Sequence, residues 1–174
     1  NYYAVTGLLA RVCLYAGQRE NAFNYSTEVI KASNNGIFPF VDRSLVNGTA
    51  QDPDRIFSPE VLFALSDSQR GELFEEYFDP SLAPNMVFRM ETDLLEQTIY
   101  GGTGTGGNLD DYRCRSNWIS SGSARYFYKY SDMTESGRIE NTMIPLLRLG
   151  EMYLIAPESQ CNSLANGVSY INTM

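Results

Sequence analysis

The residues best equipped for chemistry form a crowd of aromatics and cations late in the sequence. Tyr112, Trp118, Tyr126, Phe127, Tyr128 and Tyr130 are interleaved with Arg113, Arg115, Asn117, Arg125 and Lys129. Flat aromatic faces beside fixed hydrogen-bond donors suit sugar rings, whose C–H faces stack while their hydroxyls pair. Tyr112, Arg113, Trp118, Tyr126 and Tyr128 are therefore the candidate ligand-binding residues. The same composition also suits an ordinary strand. In RYFYKY, Tyr126, Tyr128 and Tyr130 alternate with Phe127 and Lys129, and burial is the usual fate of large aromatics. Trp118, the single tryptophan, is the aromatic whose polar neighbours Ser116 and Asn117 argue most against a core position.

Just upstream, Gly102, Gly104 and Gly107 spell G-x-G-x-x-G. A dinucleotide loop needs a buried strand before it and a helix after it to present N–H groups to the pyrophosphate. Here an acidic DLLEQTIY precedes, no helical apolar stripe follows, and Asp110 and Asp111 would repel phosphate. The run reads as a surface loop, and no cofactor is expected. The chain has no histidine, which removes the commonest general base and the Ser-His and Cys-His nucleophile pairs. Cys13, Cys114 and Cys161 are far apart and odd in number, so neither a metal knuckle nor a complete disulfide framework is written, and no metal is expected. Cys13 reads as core. Glu75-Glu76 and Asp110-Asp111 are adjacent carboxylates that point apart in an extended chain and read as solvated surface. Enzymatic function is thereby narrowed rather than excluded. The sequons at Asn24 and Asn47 matter only in a eukaryotic secretory setting.

A net charge of -8 over 174 residues disfavours phosphate backbones and anionic lipid, so no nucleic-acid partner is expected. With 43% apolar residues the chain can bury a sizeable core. No run reaches the roughly 18 apolar residues of a membrane span. Asn1 at the start and an unfinished amphipathic pattern at the end read as a piece of a longer protein.

The elements that must position these residues are helical at both ends. Leu8, Leu9, Val12, Cys13 and Ala16 fall on one helical stripe, and Gly17 supplies the stop. A second helix fits Asn21 to Ser33, with Ala22, Tyr25, Ser26, Val29 and Ile30 on one face. The short link makes the pair a helical hairpin. Ala10 and Ala22 are spaced like the small residues that let tetratricopeptide helices approach. From Phe38 to Thr142, prolines, glycines and Asn/Asp break the chain into short pieces, with VLFAL at Val61 to Leu65 as a buried strand. Met143 to Ala156 reads as a buried helix with Pro145 in its first turn, Arg148 and Glu151 on neighbouring turns, and Pro157 ending or kinking it. Leu164, Val168 and Ile171 mark a fourth helix. The reading is a single domain of mainly α class: a hairpin over 1–36, a loop-rich insertion with short strands over 37–142, and a second hairpin over 143–174.

Five segments in order resemble one family. YYAVTGLLARVCLYAGQRENAFNYSTEVIKAS, SPEVLFALS, DDYR, MIPLLRLGEMYLIAPES and SLANGVSYIN are similar to motifs of the SusD/RagB family, the surface nutrient-binding lipoproteins of Bacteroidetes. The resemblance implies a tetratricopeptide-like scaffold carrying a loop-rich glycan site. It implies lipid anchoring on the outer membrane, oligosaccharide or polysaccharide as ligand, and a SusC-type TonB-dependent transporter as partner. It also implies binding without catalysis. Arg148 and Glu151 match the motif's Arg and Glu and are scaffold residues under this reading, and the loop from Gly101 to Asn108 would flank the aromatic site. Pro157 departs from the family pattern, which has alanine there. The alternative is a helical-repeat module whose surface binds protein without a sugar site. A carboxylate glycosidase has no specific support in the sequence.

Overall fold

The computed structural model describes residues 2–46, 52–92, 94–101, 111–122, 124–134, 137–160 and 164–172. Its helices and strands in chain order are α1 (Tyr2–Tyr15), α2 (Arg19–Asn34), α3 (Arg43–Val46), β1 (Val61–Ser66), α4 (Arg70–Tyr77), α5 (Tyr112–Asn117), β2 (Trp118–Ser121), β3 (Ala124–Phe127), β4 (Met143–Arg148), α6 (Leu149–Ser159) and α7 (Leu164–Ile171). The class is mainly α, as the sequence indicates. Two compact units are formed, one from Asn1–Val41, Ser58–Leu65 and Pro145–Met174, the other from Asp42–Phe57 and Ser66–Ile144. Among the described residues no helix is long and apolar enough to cross a membrane.

The first unit is built on the hairpin of α1 and α2. Gly17 takes φ +72 at the end of α1, a left-handed turn that stops the helix without side-chain strain. Ala10 and Ala22 are both fully buried, so the two helices do approach through small residues. The buried face of α1 differs from the expected stripe. Thr6, Gly7, Ala10 and Cys13 are buried, whereas Leu8, Leu9 and Val12 are 40–53% exposed. Close packing is the reason: a Cβ on Gly7 would stand 2.9 Å from Leu147 Cδ2 and 3.3 Å from Leu62 Cδ1. Only small side chains fit between α1 and its neighbours, and the larger apolar face turns outward. On α2 the expected face holds, with Ala22, Ser26, Val29 and Ile30 buried. The Asn24 sequon lies inside this helix, with Ser26 buried and donating to the Phe23 carbonyl at 3.0 Å. The core continues through Leu62, Leu147, Leu149, Met152, Tyr153, Ile155 and Ala156.

Met143 to Ala156 is not one helix. Its first six residues are β4, which pairs with β1, and the helix begins at Leu149. Steric pressure from Pro145 drives Ile144 out of the helical region, and a strand in a two-stranded sheet has an edge that tolerates the missing proline N–H. Arg148 is therefore the extended residue before α6 (φ -124, ψ 156), not a helical neighbour of Glu151. Glu151 instead receives Arg11 of α1, through Nε to Oε1 and Nη2 to Oε2, both at 2.6 Å. The same Nη2 donates to the Leu146 carbonyl at 2.9 Å, so one guanidinium ties α1 to β4 and α6. Pro157 does not end the helix, which runs on to Ser159. What it removes is the N–H that would reach the Tyr153 carbonyl. β1 is a strand, as expected, but only half buried: Leu62 is in the core while Phe63 and Leu65 are 48% and 51% exposed. Val168 and Ile171 of the fourth helix are also about half exposed.

Among the described residues the second unit contains short elements, none longer than the eight residues of α4. Its organising side chain is Arg70, 2% exposed at the start of α4. Arg70 Nη1 donates to the carbonyls of Glu140 (2.6 Å) and Met143 (3.2 Å), and Nη2 approaches Asp132 Oδ1 at 3.4 Å. Apolar burial is spread over Val46, Ile56, Phe57, Phe74, Leu95, Cys114 and Met133. Glu75 and Glu76 are exposed on the helix α4 rather than in an extended chain.

Candidate functional site

The candidate aromatic residues sit in the second unit, on α5 and on the ribbon of β2 and β3. Asp111 caps α5, its Oδ1 accepting from the Arg113 N–H at 2.8 Å. The capping bond and Arg113 hold the Asp111 carboxyl below its ordinary range, with the Arg113 side-chain bond as the largest cause. The Arg113 guanidinium folds back on Asp111 (Nε to Oδ1 3.0 Å, Nη2 to Oδ2 2.6 Å) and is 68% exposed. Tyr112, half-buried, opens the same helix.

The ribbon register decides which aromatics share a face. Trp118 is opposite Phe127 and Ile119 is opposite Tyr126. Directly paired residues point to the same side and successive residues to opposite sides. Trp118 and Phe127 therefore lie on one face and Tyr126 on the other. β3 ends at Phe127; the Tyr128 N–H still donates to the Asn117 carbonyl at 2.8 Å, in register with the ribbon, but the alternating run expected through Tyr130 goes no further.

From Trp118 a row of rings extends. The Trp118 and Phe127 centroids are 5.0 Å apart, Phe127 and Phe78 5.7 Å, Phe78 and Phe88 6.3 Å, and Phe88 and Tyr77 5.7 Å. The tilted and edge-on angles suit the ring quadrupoles. Trp118 is half-buried and Phe88 is 64% exposed, so the row reaches the surface. Tyr128 belongs to a second group, packed on Phe74 at 4.8 Å with the Arg55 guanidinium 5.7 Å from its ring centroid. Burial, then Asp79, pushes the Tyr128 hydroxyl up. Tyr100 is likewise raised by burial, while its hydrogen bond with Trp118 acts the other way.

The structure thus brings Trp118 and Phe127 together, sets Tyr126 on the opposite face, and joins Tyr128 to Phe74. Sequence reasoning missed Tyr77, Phe78 and Phe88. Their signal was the aromatic content of EEYF and of VF, separated by a Pro-rich turn, and nothing in the spacing tied either to Trp118. The glycines Gly102, Gly104 and Gly107, with Asp110, Cys161 and the Asn47 sequon, lie outside the described residues. Cys13 is buried as expected, and Cys114 is buried too. Among the described residues no cluster of His, Cys, Asp or Glu could hold a metal ion.

This architecture has a known counterpart. The crystal structure of a SusD superfamily protein from Bacteroides vulgatus aligns with 99% of the chain at a TM-score of 0.62 and 22% sequence identity. The fold is SusD-like. The helical hairpin, the loop-rich aromatic unit and the returning helices therefore fit the resemblance carried by the five segments. The chain spans 39% of the length of that SusD superfamily protein. No family model matches the sequence, and no curated protein matches it.

Proposed function

We propose that this SusD-like chain binds oligosaccharide or polysaccharide at the bacterial cell surface. The glycan would pass to a SusC-type TonB-dependent transporter, with the parent protein lipid-anchored on the outer membrane. In this reading the chain binds its ligand without transforming it. The observation that carries the proposal is the row of rings from Trp118 to Phe88, reaching the surface on a SusD-like fold. Tilted rings offer apolar faces and edges to sugar C–H groups, and the exposed Arg113 supplies donors at the same unit's surface. Tyr112, Tyr126 and Tyr128 remain candidate contacts, Tyr126 from the other face of the ribbon.

The test is calorimetry of the chain against a glycan panel, beside Trp118→Ala and Phe88→Ala, with nucleotides as controls. Saccharide binding that both substitutions weaken at least tenfold, with the circular dichroism unchanged, is the expected result. Saccharide binding untouched by either substitution would remove the aromatic row from the site.

A second reading, a protein-binding helical module, has its own observation. The outer face of α1 and the exposed side of the sheet form an apolar groove of about 460 Å³ lined by Ala4, Val5, Leu8, Phe63, Leu146 and Leu147. Exposed apolar patches of this kind commonly mark contact surfaces. Absence of saccharide binding by the unmodified chain would favour it.

A further inference from the structure

The loop-rich unit contains a small, partly open cavity separate from the aromatic row. It measures about 10 Å³ and is lined by Arg55, Arg70, Asp54, Glu140 and Ser131, among others. Two of its lining side chains have donors without an acceptor among the described residues: Arg55 Nε and Arg70 Nε are both buried and make no hydrogen bond. For Arg70 this stands out, because the side chain is 2% exposed and its two terminal nitrogens are both engaged, with Glu140, Met143 and Asp132. Burial lowers the Arg55 guanidinium below its ordinary value, and the attraction of Asp52 offsets this only in part. A buried N–H deprived of any acceptor keeps the full cost of its desolvation, so native structures pair such groups with protein or with ordered water.

Size selects the occupant. A space open to roughly 10–15 Å³ of a water-sized sphere admits one water molecule, and a halide is larger. Arg55, Arg70 and Lys129 line the cavity beside Asp54 and Glu140, so the small volume rather than the lining charge excludes an anion, and water can accept from both arginines. We propose that this cavity is the site of one internal water that accepts hydrogen bonds from both Arg55 Nε–H and Arg70 Nε–H. The water joins the segment around Asp54 to Ile56, the start of α4, the turn after Tyr128 and the carboxyl-bearing Glu140. These pieces have little regular backbone pairing to hold them, so a shared water takes the place of a ladder. The inference stands apart from the glycan reading, and either can fail without the other.

The test is a crystal structure of the 174-residue chain at a resolution that orders internal solvent, grown with bromide replacing chloride. The expected result is one well-ordered peak without anomalous signal, about 2.7–3.2 Å from both Nε atoms. A bromide peak there would overturn the proposal in favour of an anion site. A closed space with both Nε–H groups donating to protein oxygens would overturn it, as would a water bonded to only one of the two. In solution, both arginine Hε protons should show cross-relaxation to water and slowed exchange; an Hε without a water cross-peak contradicts the site.

Discussion

The two units of this chain solve the problem of burial in different ways. In the first, helices close on small residues: Ala10, Ala22 and Gly7 let backbones approach, and Leu149, Met152 and Tyr153 fill the space beside them. In the second, the elements are too short to present a continuous apolar face, and the chain is gathered instead by Arg70 and by contacts between aromatic rings. Long helices satisfy their own backbone groups and leave only side chains to pack. Short pieces leave carbonyls such as those of Glu140 and Met143 in need of outside donors, and a buried guanidinium, with five N–H groups, can serve several. A scaffold results in one unit, and in the other a surface whose rings are positioned by polar links.

Substitutions can break or sharpen this contrast. The largest effect is expected in the helical core, where Leu149→Ala should lower the unfolding free energy by about 2–5 kcal/mol in urea titrations followed by circular dichroism. A loss below about 1 kcal/mol would mean that the unit is not close-packed. In the second unit, Arg70→Met should cost about 1–3 kcal/mol by withdrawing donors from buried carbonyls. Because Trp118 is the single tryptophan and lies in that unit, its emission should report the change, and an unshifted midpoint would contradict the organising role of Arg70.

Next in size comes a comparison within α1. Gly7→Ala should destabilise by about 1–2 kcal/mol, because the Leu147 clash outweighs the gain in helix propensity. Leu8→Ala, one residue on and half exposed, should stay within about 0.5 kcal/mol. Equal effects from the two would erase the distinction between the helix faces. Glu151→Gln should cost roughly 0.5–1 kcal/mol, since the pair with Arg11 is bidentate but each side chain is 31% exposed. A thermal scan showing no shift would mark that pair as energetically idle.

The smallest effect is expected at Asp111→Asn, a few tenths of a kcal/mol, because asparagine caps helices nearly as well. Asp111 has a lowered folded pKa, so its charge contributes above the unfolded value of about 3.9 and is lost as pH falls through the lower folded value. The difference between wild type and variant should therefore be present at pH 7, begin to shrink near about pH 4, and vanish only as the pH falls through the lower folded value. A difference that persists in acid would exclude the carboxylate charge as its source.

Much of the helical unit was legible from residue order. Gly17, the periodic apolar residues of both N-terminal helices and the Ala10/Ala22 pair announced the hairpin, since each signal acts within a few residues of chain. The strand at Met143–Arg148 was not read, because its apolar run satisfies a helix period equally well; Pro145 was the cue, read as a first helical turn when it was forcing Ile144 to extend. In the aromatic unit, Trp118 was singled out by type and by its polar neighbours. Phe127 stood in the same aromatic crowd, but its pairing with Trp118 depends on ribbon register, and Phe78 joins through a chain return at a separation no local pattern encodes.

By itself the sequence determined the N-terminal helical hairpin with its stop at Gly17, a net negative charge that repels phosphate backbones, and the order of motifs that fits a SusD-like fold. Local sterics, periodicity and net charge are enough for those. Only the tertiary structure decided which face of α1 is buried, that Glu151 takes Arg11, and that Trp118 looks the same way as Phe127 and away from Tyr126. Each of these is a choice made by tertiary packing or strand register, through which side chains fit a close approach and which buried groups must be paired.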